Sequence, residues 1–598
     1  MANRFCNKAE DVVTECIEGL VASYSHLQRL DGFPQVKVVI DGSADNTKVA
    51  LISGGGSGHE PAHAGYVGRG MLTAAVAGDV FASPPTEAVL AAVRAVTHAP
   101  GVLLIVKNYT GDRLNFGLAA EQARAEGYKV EMIVVGDDCA LPQSRITGRR
   151  GIAGTVFVHK VAGAAAAAGA DLTAVLAAAQ SAAQSVGSMG VATSVCTLPG
   201  AHPADPPRIG QGEMELGLGI HGEPGASKGP LLPVNKIVSQ MLERITSKET
   251  GYLSVRPGNR VALLVNSLGS STPMELSIVA RATLTQLRDT YKVTVARVYV
   301  GPFMTSLDMA GFSLSLLLLN DARIAALDAP TQAPAWPAPQ GELDADKAPL
   351  PLPKGPDGEL SSGRPESLTP FGAVLERALL AVCEAVIVAA PELDALDSRI
   401  GDGDCGSTLK RGAEAIKAAV GSSLPLNDAG AALREVATTL RIMGGTSGAL
   451  YNIGLTAAAG ELLKHQPSTA AAPYKGPSAE SWSKVFEAAV AALLRYSGAA
   501  EGDRTMLDAL IPAQQHFAES LHQGEGVLSA LESASAAAEE GAEKTRGMAA
   551  AAGRSSYVGM QLSSQAGSAT EEEYSTGANC NVQKIGSNPL QEPYIAYA

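Results

Sequence analysis

Three carboxylates crowd the stretch Leu396 to Leu409, LDSRIGDGDCGSTL, where Asp397, Asp402 and Asp404 stand among Gly401 and Gly403. Their mutual repulsion is unfavourable unless a cation sits among them. Oxygen ligands without His or thiolate partners suit a hard divalent ion, Mg²⁺ above all, which keeps waters and completes its shell with substrate phosphates. That chemistry implies a nucleotide. Ser407 and Thr408 are placed to cap the helix that LKRGAEAIKAAV would start, aiming N–H groups at an anion. The alternatives are a solvated acidic turn and a calcium loop. The EF-hand pattern fails, because counting from Asp402 puts Gly406 at the fifth position and Ala413 at the twelfth.

Other chemistry-bearing residues follow strand-like runs. KVALISGGGSGHEPAHAG sets Gly54 to Gly58 and His59 behind Val49 to Ile52, VLLIVKNYTGD sets Lys107, Asn108 and Asp112 behind Val102 to Val106, and KVEMIVVGDD ends in Asp137 and Asp138. The glycine cluster fits neither a P-loop nor GxGxxG, which leaves a small polar ligand or a plain turn with a surface histidine. Gly217 to Gly222 does fit GxGxxG by letter, but Glu223-Pro224-Gly225 stands where a helix should begin. His221, set among those glycines, is an exposed imidazole able to act as nucleophile or base near neutral pH, or a structural histidine. Gly444 to Gly448 resembles a phosphate-cradling turn or a helix N-cap. Gly502 to Asp508 supplies Arg504, for a phosphate or for an ion pair with Asp503.

The elements that must position these residues are legible from periodicity. Helical stretches such as PPTEAVLAAVRAV and GLAAEQARAEG separate the first strands, so the unit reads as βαβ repeats with ligands at the carboxyl ends of the strands. Alanine-rich helices from Lys160 to Ser188 close it, and a strand near Val191 to Cys196 leads to a second subdomain with RVALLVNSLG, VTVARVYVG and FSLSLLLLN. Beyond Pro370 the apolar positions recur at helical spacing, with the Asp-rich loop between the first two helices. The expected fold is α/β for residues 1–200 and 201–335, two subdomains with mainly parallel sheets. A Pro-rich linker follows at 336–369, an all-α helical bundle at 370–560, and a disordered tail at 561–598.

At 598 residues the chain is too long for a single core, and a formal net charge of −14 argues against nucleic-acid backbone binding. An anionic substrate must therefore be held locally, as a metal would do. Seven cysteines stand singly with no CxxC, which points to a reducing compartment. MANRFCNKAEDVV lacks a signal-peptide apolar region and no apolar run is long enough for a bilayer, so a cytoplasmic protein without membrane attachment is expected.

In order, GGGSGHEPAH, KNYTGDRLNFG, GLGIHGE, GDGDCG, GGTSGALY and GDRTMLD resemble the dihydroxyacetone kinase family, over nearly all of the chain up to about Tyr557. The resemblance implies a K region that binds dihydroxyacetone or another short ketose or aldose, and a helical L region that binds ATP and Mg²⁺. It implies that His221 forms a hemiaminal with the substrate carbonyl, that His59 and Asp112 activate the attacking hydroxyl, and that Gly56, Ser57, Gly58 and Lys107 contact the sugar. On the L side it implies Asp397, Asp402 and Asp404 as Mg²⁺ ligands, with Asp404, Cys405, Gly406, Ser407, Thr446, Ser447, Arg504, Met506 and Arg554 at the nucleotide. Some members rely on a phosphotransferase partner and tend to carry His where this chain has Cys405, so direct use of ATP is expected. Animal-type fused members also split FAD to AMP and cyclic FMN at the same site, with Mn²⁺ or Co²⁺ as metals for that activity. A non-catalytic triose sensor is the competing class, and retention of the three aspartates speaks against it. A homodimer is implied, with the linker carrying one chain's L region to the other's K region. The family continues past SSYV with an Asp-Pro-Gly-Ala segment and a last helix. This chain has neither, from which a less stable L region with weak ATP binding is expected.

Overall fold

The computed structural model describes residues 5–141, 148–202, 204, 206–248, 252–338, 349–353, 363–398, 402–464, 476–549 and 551. Arg554 and the 561–598 tail lie outside the described residues, as does part of the 336–369 linker. The chain forms two compact units, Met1–Pro349 and Leu350–Ala598.

The first unit opens with α1 (Val12–Ser23), β1 (Leu27–Arg29), β2 (Val38–Asp41), β3 (Ala50–Ser57), β4 (Ala74–Val80), α2 (Thr86–Val96), β5 (Val102–Lys107), α3 (Thr110–Ala125), β6 (Val130–Val135), α4 (Thr155–Ala167) and α5 (Leu172–Ala183). The strands lie in the order β1-β2-β4-β3-β5-β6, parallel from β4 to β6 and antiparallel at β1 and β2. β3 and β5 are buried along their whole length, as strands covered by helices on both faces must be. Ile52, Leu104 and Val106 pack with Val89 and Phe116 of α2 and α3, while Leu51, Leu103 and Ile105 pack with Val156 and Val175 of α4 and α5.

The unit continues with β7 (Val186–Ala192), β8 (Glu213–Leu216), β9 (Ser227–Pro230), α6 (Val234–Ile245), β10 (Arg260–Ser267), α7 (Pro273–Asp289), β11 (Thr294–Gly301), β12 (Gly311–Leu319) and α8 (Asp321–Asp328). This sheet has the order β11-β10-β12-β7-β8-β9, and only β10 and β11 run parallel. The expectation of mainly parallel sheets therefore needs correction here. Runs such as VALLVNS record burial on both faces, which a central antiparallel strand has as well, and apolar periodicity carries no strand direction. β7 begins earlier than the strand expected near Val191, inside the stretch assigned to the first subdomain, yet it pairs with β12. One apolar cluster runs through α4 and includes Leu51 and Ile105 of the first sheet with Ala262, Leu264 and Leu317 of the second.

The second unit is helical: α9 (Pro370–Asp397), α10 (Cys405–Ser422), α11 (Ala429–Thr439), α12 (Gly445–Lys464), α13 (Ala479–Ser497), α14 (Leu507–His522) and α15 (Val527–Lys544). It starts at Pro370 for a local reason. The Thr369 hydroxyl accepts from the Gly372 N–H at 3.0 Å, and Pro370 at the first helical position has no N–H to leave unpaired. α9 and α10 pack closely because Gly406 presses on the carbonyl of Ala390, leaving no room for a Cβ. Gly406→Ala should therefore lower the stability of the second unit by about 1–3 kcal/mol. Differential scanning calorimetry should show its transition move down while that of the first unit stays in place.

Candidate functional site

The first constellation forms where β3 ends. Gly58 has φ +99°, and a Cβ there would lie 2.8 Å from the Phe81 ring, so both the turn and the close approach require glycine. Gly56 backs onto the Phe81 main chain, and the Ser57 hydroxyl donates to the carbonyl of Gly78 at 2.7 Å. His59 follows, fully buried, with its Nδ1–H donating to the Thr305 carbonyl at 2.8 Å. Its ring stacks on Phe81 at a centroid separation of 5.1 Å. Phe81 holds this place in a left-handed conformation, φ 57°, which is unfavourable for an aromatic residue and typical of functional sites.

The loop after β8 brings in His221, whose Nε2 lies 3.1 Å from Nε2 of His59 and whose Nδ1–H donates to Glu223 at 2.8 Å. Tyr109 and Phe81 set their rings edge-on to it, at 4.8 and 5.0 Å between centroids. His221 is thus half-buried between aromatic rings rather than freely exposed. Lys107 at the end of β5 and Asp112 in the first turn of α3 converge on Gly55, where a Cβ would meet Lys107 Cε at 3.4 Å and Asp112 Oδ2 at 3.5 Å. Four residues from three distant stretches, His59, Lys107, Asp112 and His221, are brought to one place. Sequence reasoning assigned no role to Phe81, Tyr109 or Glu223, though Tyr109 and Glu223 stand inside the motifs it quoted.

Burial governs the electrostatics. It drives His59 well below the ordinary imidazole range, and the charges of Lys107 and His221 act the same way. Burial also lowers Lys107, with Asp112 foremost among the carboxylates that resist, and it raises Asp112 against the pull of Lys107 and a hydrogen bond from Ser83. Asp112 Oδ1 is buried without a partner, an acceptor suited to a substrate hydroxyl. Burial raises the Glu223 carboxyl too, but the bond and charge of His221 outweigh it and hold the group at about 2. Behind the site the Ser53 hydroxyl donates to the Ile105 carbonyl at 2.6 Å, so His63 Nδ1 and His159 Nε2, at 3.3 and 3.1 Å, are the donors to its oxygen. Burial, then the charge of Lys107, pushes His159 down to about 3.

The second constellation is at the junction of α9 and α10. Carboxylate oxygens of Asp397, Asp402 and Asp404 lie within 4.8 Å of one another, with Asp402 and Asp404 exposed. An all-carboxylate set open to solvent fits a hard cation that keeps waters and phosphate ligands. The capping expectation is corrected here: α10 starts at Cys405, and Ser407 and Thr408 lie inside it. The helix end is capped by α9. Asp397 Oδ2 accepts from the N–H groups of Asp404 and Cys405 at 3.1 and 3.3 Å, and Asp394 accepts from the Ser407 N–H and hydroxyl at 2.8 and 2.6 Å. Asp394 had given no sign of this in the sequence beyond lying one turn before Asp397. Arg411 of α10 donates to the Met443 carbonyl at 2.7 Å, tying to α10 the turn at Gly444 and Gly445 from which Thr446 and Ser447 begin α12. Arg504 is buried with φ 61°, in a turn organised by Asp508, which accepts from the Thr505 N–H at 2.7 Å. Met506 follows and packs against the cluster of Val490, Leu493, Leu507 and Ile511, which Leu450 and Ile453 of α12 also cover.

The Dak1 domain matches residues 18–335 and the DAK2 domain residues 399–565. The chain belongs to the dihydroxyacetone kinase family. It is 52% identical over 565 residues to a Solanum lycopersicum protein named as a candidate 3,4-dihydroxy-2-butanone kinase, covering 93% of this chain and 94% of that one. It is 42% identical over 569 residues to the triokinase/FMN cyclase of Mus musculus, covering 93% and 94%. The crystal structure of the Citrobacter freundii dihydroxyacetone kinase in complex with AMP-PNP and Mg²⁺ is similar with a TM-score of 0.70 at 35% identity, over 98% of this chain and 99% of that one. In dihydroxyacetone kinase terms the first constellation lies in the Dak1 domain. The aspartate triplet, from Asp402 on, lies in the DAK2 domain.

The buried histidines of the Dak1 domain have a consequence for stability. Below the ordinary histidine pKa of 6.5 the unfolded chain takes up protons that His63 and His159 refuse in the fold. Stability is therefore full above about pH 6.5 and falls on acidification, by roughly 1.4 kcal/mol per pH unit for each such histidine. Melting curves between pH 7.5 and 5 should show the Dak1 transition falling, and His159→Gln should flatten that slope by about one histidine's share. An unchanged slope would mean that His159 takes up its proton in the fold.

Proposed function

We propose that this protein transfers the γ-phosphoryl group of ATP to a hydroxyl of dihydroxyacetone while His221 holds the substrate's carbonyl carbon as a hemiaminal. The observation that carries this reading is the meeting of the His221 and His59 imidazoles at 3.1 Å beside a buried, unpartnered oxygen of Asp112. A nucleophile, a second imidazole and a carboxylate base are the groups that a small hydroxyketone needs for tethering and for removal of a hydroxyl proton. His221 Nε2 attacks the central carbonyl carbon of dihydroxyacetone and fixes the triose there, with a hydroxymethyl group on either side. Asp112 and His59 then take the terminal hydroxyl in a hydrogen bond and draw off its proton as that oxygen attacks phosphorus. Lys107, next to Asp112, steadies the charge that moves between the two oxygens. Asp397, Asp402 and Asp404 would hold Mg²⁺, which neutralises phosphate charge in the loose transition state. Thr446, Ser447, Arg504 and Met506 are proposed to hold the nucleotide around it.

Glyceraldehyde and 3,4-dihydroxy-2-butanone share the carbonyl with an adjacent hydroxyl, so both belong to the proposed substrate class. The mouse relative's name favours a second reading, FMN cyclase activity, which we propose as cleavage of FAD to cyclic FMN at the same metal site with Mn²⁺ or Co²⁺. A cytoplasmic setting agrees with the absence of a disulfide among the six cysteines of the described residues. The test is purified protein with MgATP and each carbonyl compound in turn, then FAD with Mn²⁺, with products followed by mass spectrometry. Triose phosphate is the expected product, and triose binding without either reaction would make the protein a sensor.

Asp402→Ala and Asp404→Ala should each lower phosphoryl transfer by about a thousandfold, because a metal supplies several kcal/mol of charge stabilisation. Triose affinity measured by calorimetry should stay at the wild-type level. A homodimer in which each substrate site meets the other chain's nucleotide site is also proposed. His221→Ala and Asp402→Ala chains, each inactive alone, should then regain activity when mixed and allowed to exchange. No recovery after confirmed exchange would place both halves of the reaction within one chain.

A further inference from the structure

We propose that Glu223 is a positioning residue that holds the His221 ring as its Nδ1–H tautomer, leaves Nε2 as the attacking atom, and serves as counter-ion to the cationic adduct. The proposal rests on the reading of His221 as the carbonyl tether. Glu223 grips its neighbour twice: Oε1 accepts from Nδ1–H at 2.8 Å and Oε2 from the main-chain N–H of His221 at 3.0 Å. The turn that sets this geometry is closed by the Gly219 N–H donating to the Glu223 carbonyl at 3.0 Å. The carboxylate itself is confined, since a Cβ on Gly219 would overlap Glu223 Oε2 and stand 2.7 Å from Arg150 Nη1. Arg150 is fixed in turn, donating to Asp138 Oδ2 and to the Gly217 carbonyl, each at 2.7 Å.

Proton counting then assigns the roles. His59 gives its Nδ1–H to Thr305 and His221 gives its Nδ1–H to Glu223, so both Nε2 atoms, 3.1 Å apart, keep their lone pairs for a proton or a carbonyl carbon. In the tethering step the Nε2 lone pair of His221 forms the bond to carbon, the C=O π pair moves onto oxygen, and that oxygen takes one proton from solvent by way of His59 Nε2. The proton taken up appears as one positive charge on the alkylated imidazolium, whose Nδ1–H still rests on Glu223. Without the carboxylate the ring is free to carry its proton on Nε2, the nitrogen that must attack.

The test uses the full-length protein with [2-¹³C]dihydroxyacetone. Carbon NMR reports the adduct as the loss of the carbonyl resonance and the gain of a saturated one. Glu223→Gln should lower the adduct population by at least about tenfold at neutral pH. It should also move the acid limb of adduct formation to lower pH, because the carboxylate stabilises the protonated pair as well as the adduct. Lys107, Asp112, Glu60, Tyr109, Arg150 and Asp138 surround the pair and are unchanged in the variant, so the difference between the two pH profiles isolates Glu223. Glycerol has no carbonyl, and its affinity should change by no more than about threefold. Nitrogen NMR of histidine-labelled protein without ligand reads the tautomer directly, with Nδ1–H in the wild type and a mixture in Glu223→Gln. Wild-type adduct levels with an unmoved pH profile, or an undisturbed Nδ1–H tautomer in the variant, overturn the proposal. An adduct that survives His221→Ala overturns the tether reading instead.

Discussion

β3 and β5 run parallel and end side by side, and the end of β3 carries three glycines in a row. The volume that side chains would occupy there is taken by Lys107 and Asp112 against Gly55 and by Phe81 against Gly56 and Gly58. Ionisable groups are thereby brought together out of water, where each alone would give up its charge. Lys107 is pulled toward the neutral amine by burial and Asp112 toward the neutral acid. Each resists through the other. The arrangement works only as a set, because low dielectric strengthens the attraction within it as much as it penalises a group left alone.

The second unit handles the opposite problem, too much charge of one sign. Three carboxylates repel one another, but Asp397 accepts two main-chain N–H groups at the start of α10 and its neighbour Asp394 accepts a third. The positive end of the α10 dipole thus offsets part of the repulsion before any cation arrives. Asp402 and Asp404 themselves lie on the surface, open to a cation from solvent. In a chain with a formal net charge of −14, a local cation is what allows a polyphosphate to approach. Gly406 matters here through packing, since its missing Cβ sets how closely α9 and α10 can bring the carboxylates together.

What the sequence made legible was what runs along the chain. Strand ends followed by glycine, lysine or aspartate located His59, Lys107 and Asp112, and the change from a Pro-rich composition to helical spacing marked the start of the helical unit at Pro370. What it hid depends on partners remote in sequence. β4, AAVAGDV, is poor in β-branched residues and went unread as a strand, yet it is central because β2 and β3 both pair with it. The antiparallel course of the second sheet, the capping of α10 by Asp394 and Asp397, and the stacking of Phe81 on His59 likewise need the folded chain. His221 could be singled out by its glycine neighbours, but its encounter with His59 is a contact across 162 positions that no spacing announces.

The same electrostatics bear on which nucleophile a ketone would meet. Lys107 and His221 are both amine or imidazole nitrogens at one site, and a buried neutral lysine would ordinarily be the faster partner for a carbonyl, condensing to a Schiff base. An ammonium has no lone pair to offer. Asp112 first, then Glu223, Asp137 and Glu60, favour the charged form of Lys107 and keep the effect of burial in check. His221 meets the reverse condition, with one nitrogen engaged by Glu223 and the other directed toward a neighbour whose own protonation is disfavoured by burial. The carboxylates therefore act twice: they oppose the loss of the lysine's charge, and, on the proposed reading of His221, Glu223 leaves its second nitrogen available. An imidazole adduct retains the carbonyl oxygen as a hydroxyl and loses no water, so it reverses without a separate hydrolysis step. That reversibility suits a three-carbon ligand with too few atoms to be fixed by contacts alone, which must be released once its hydroxyl has reacted.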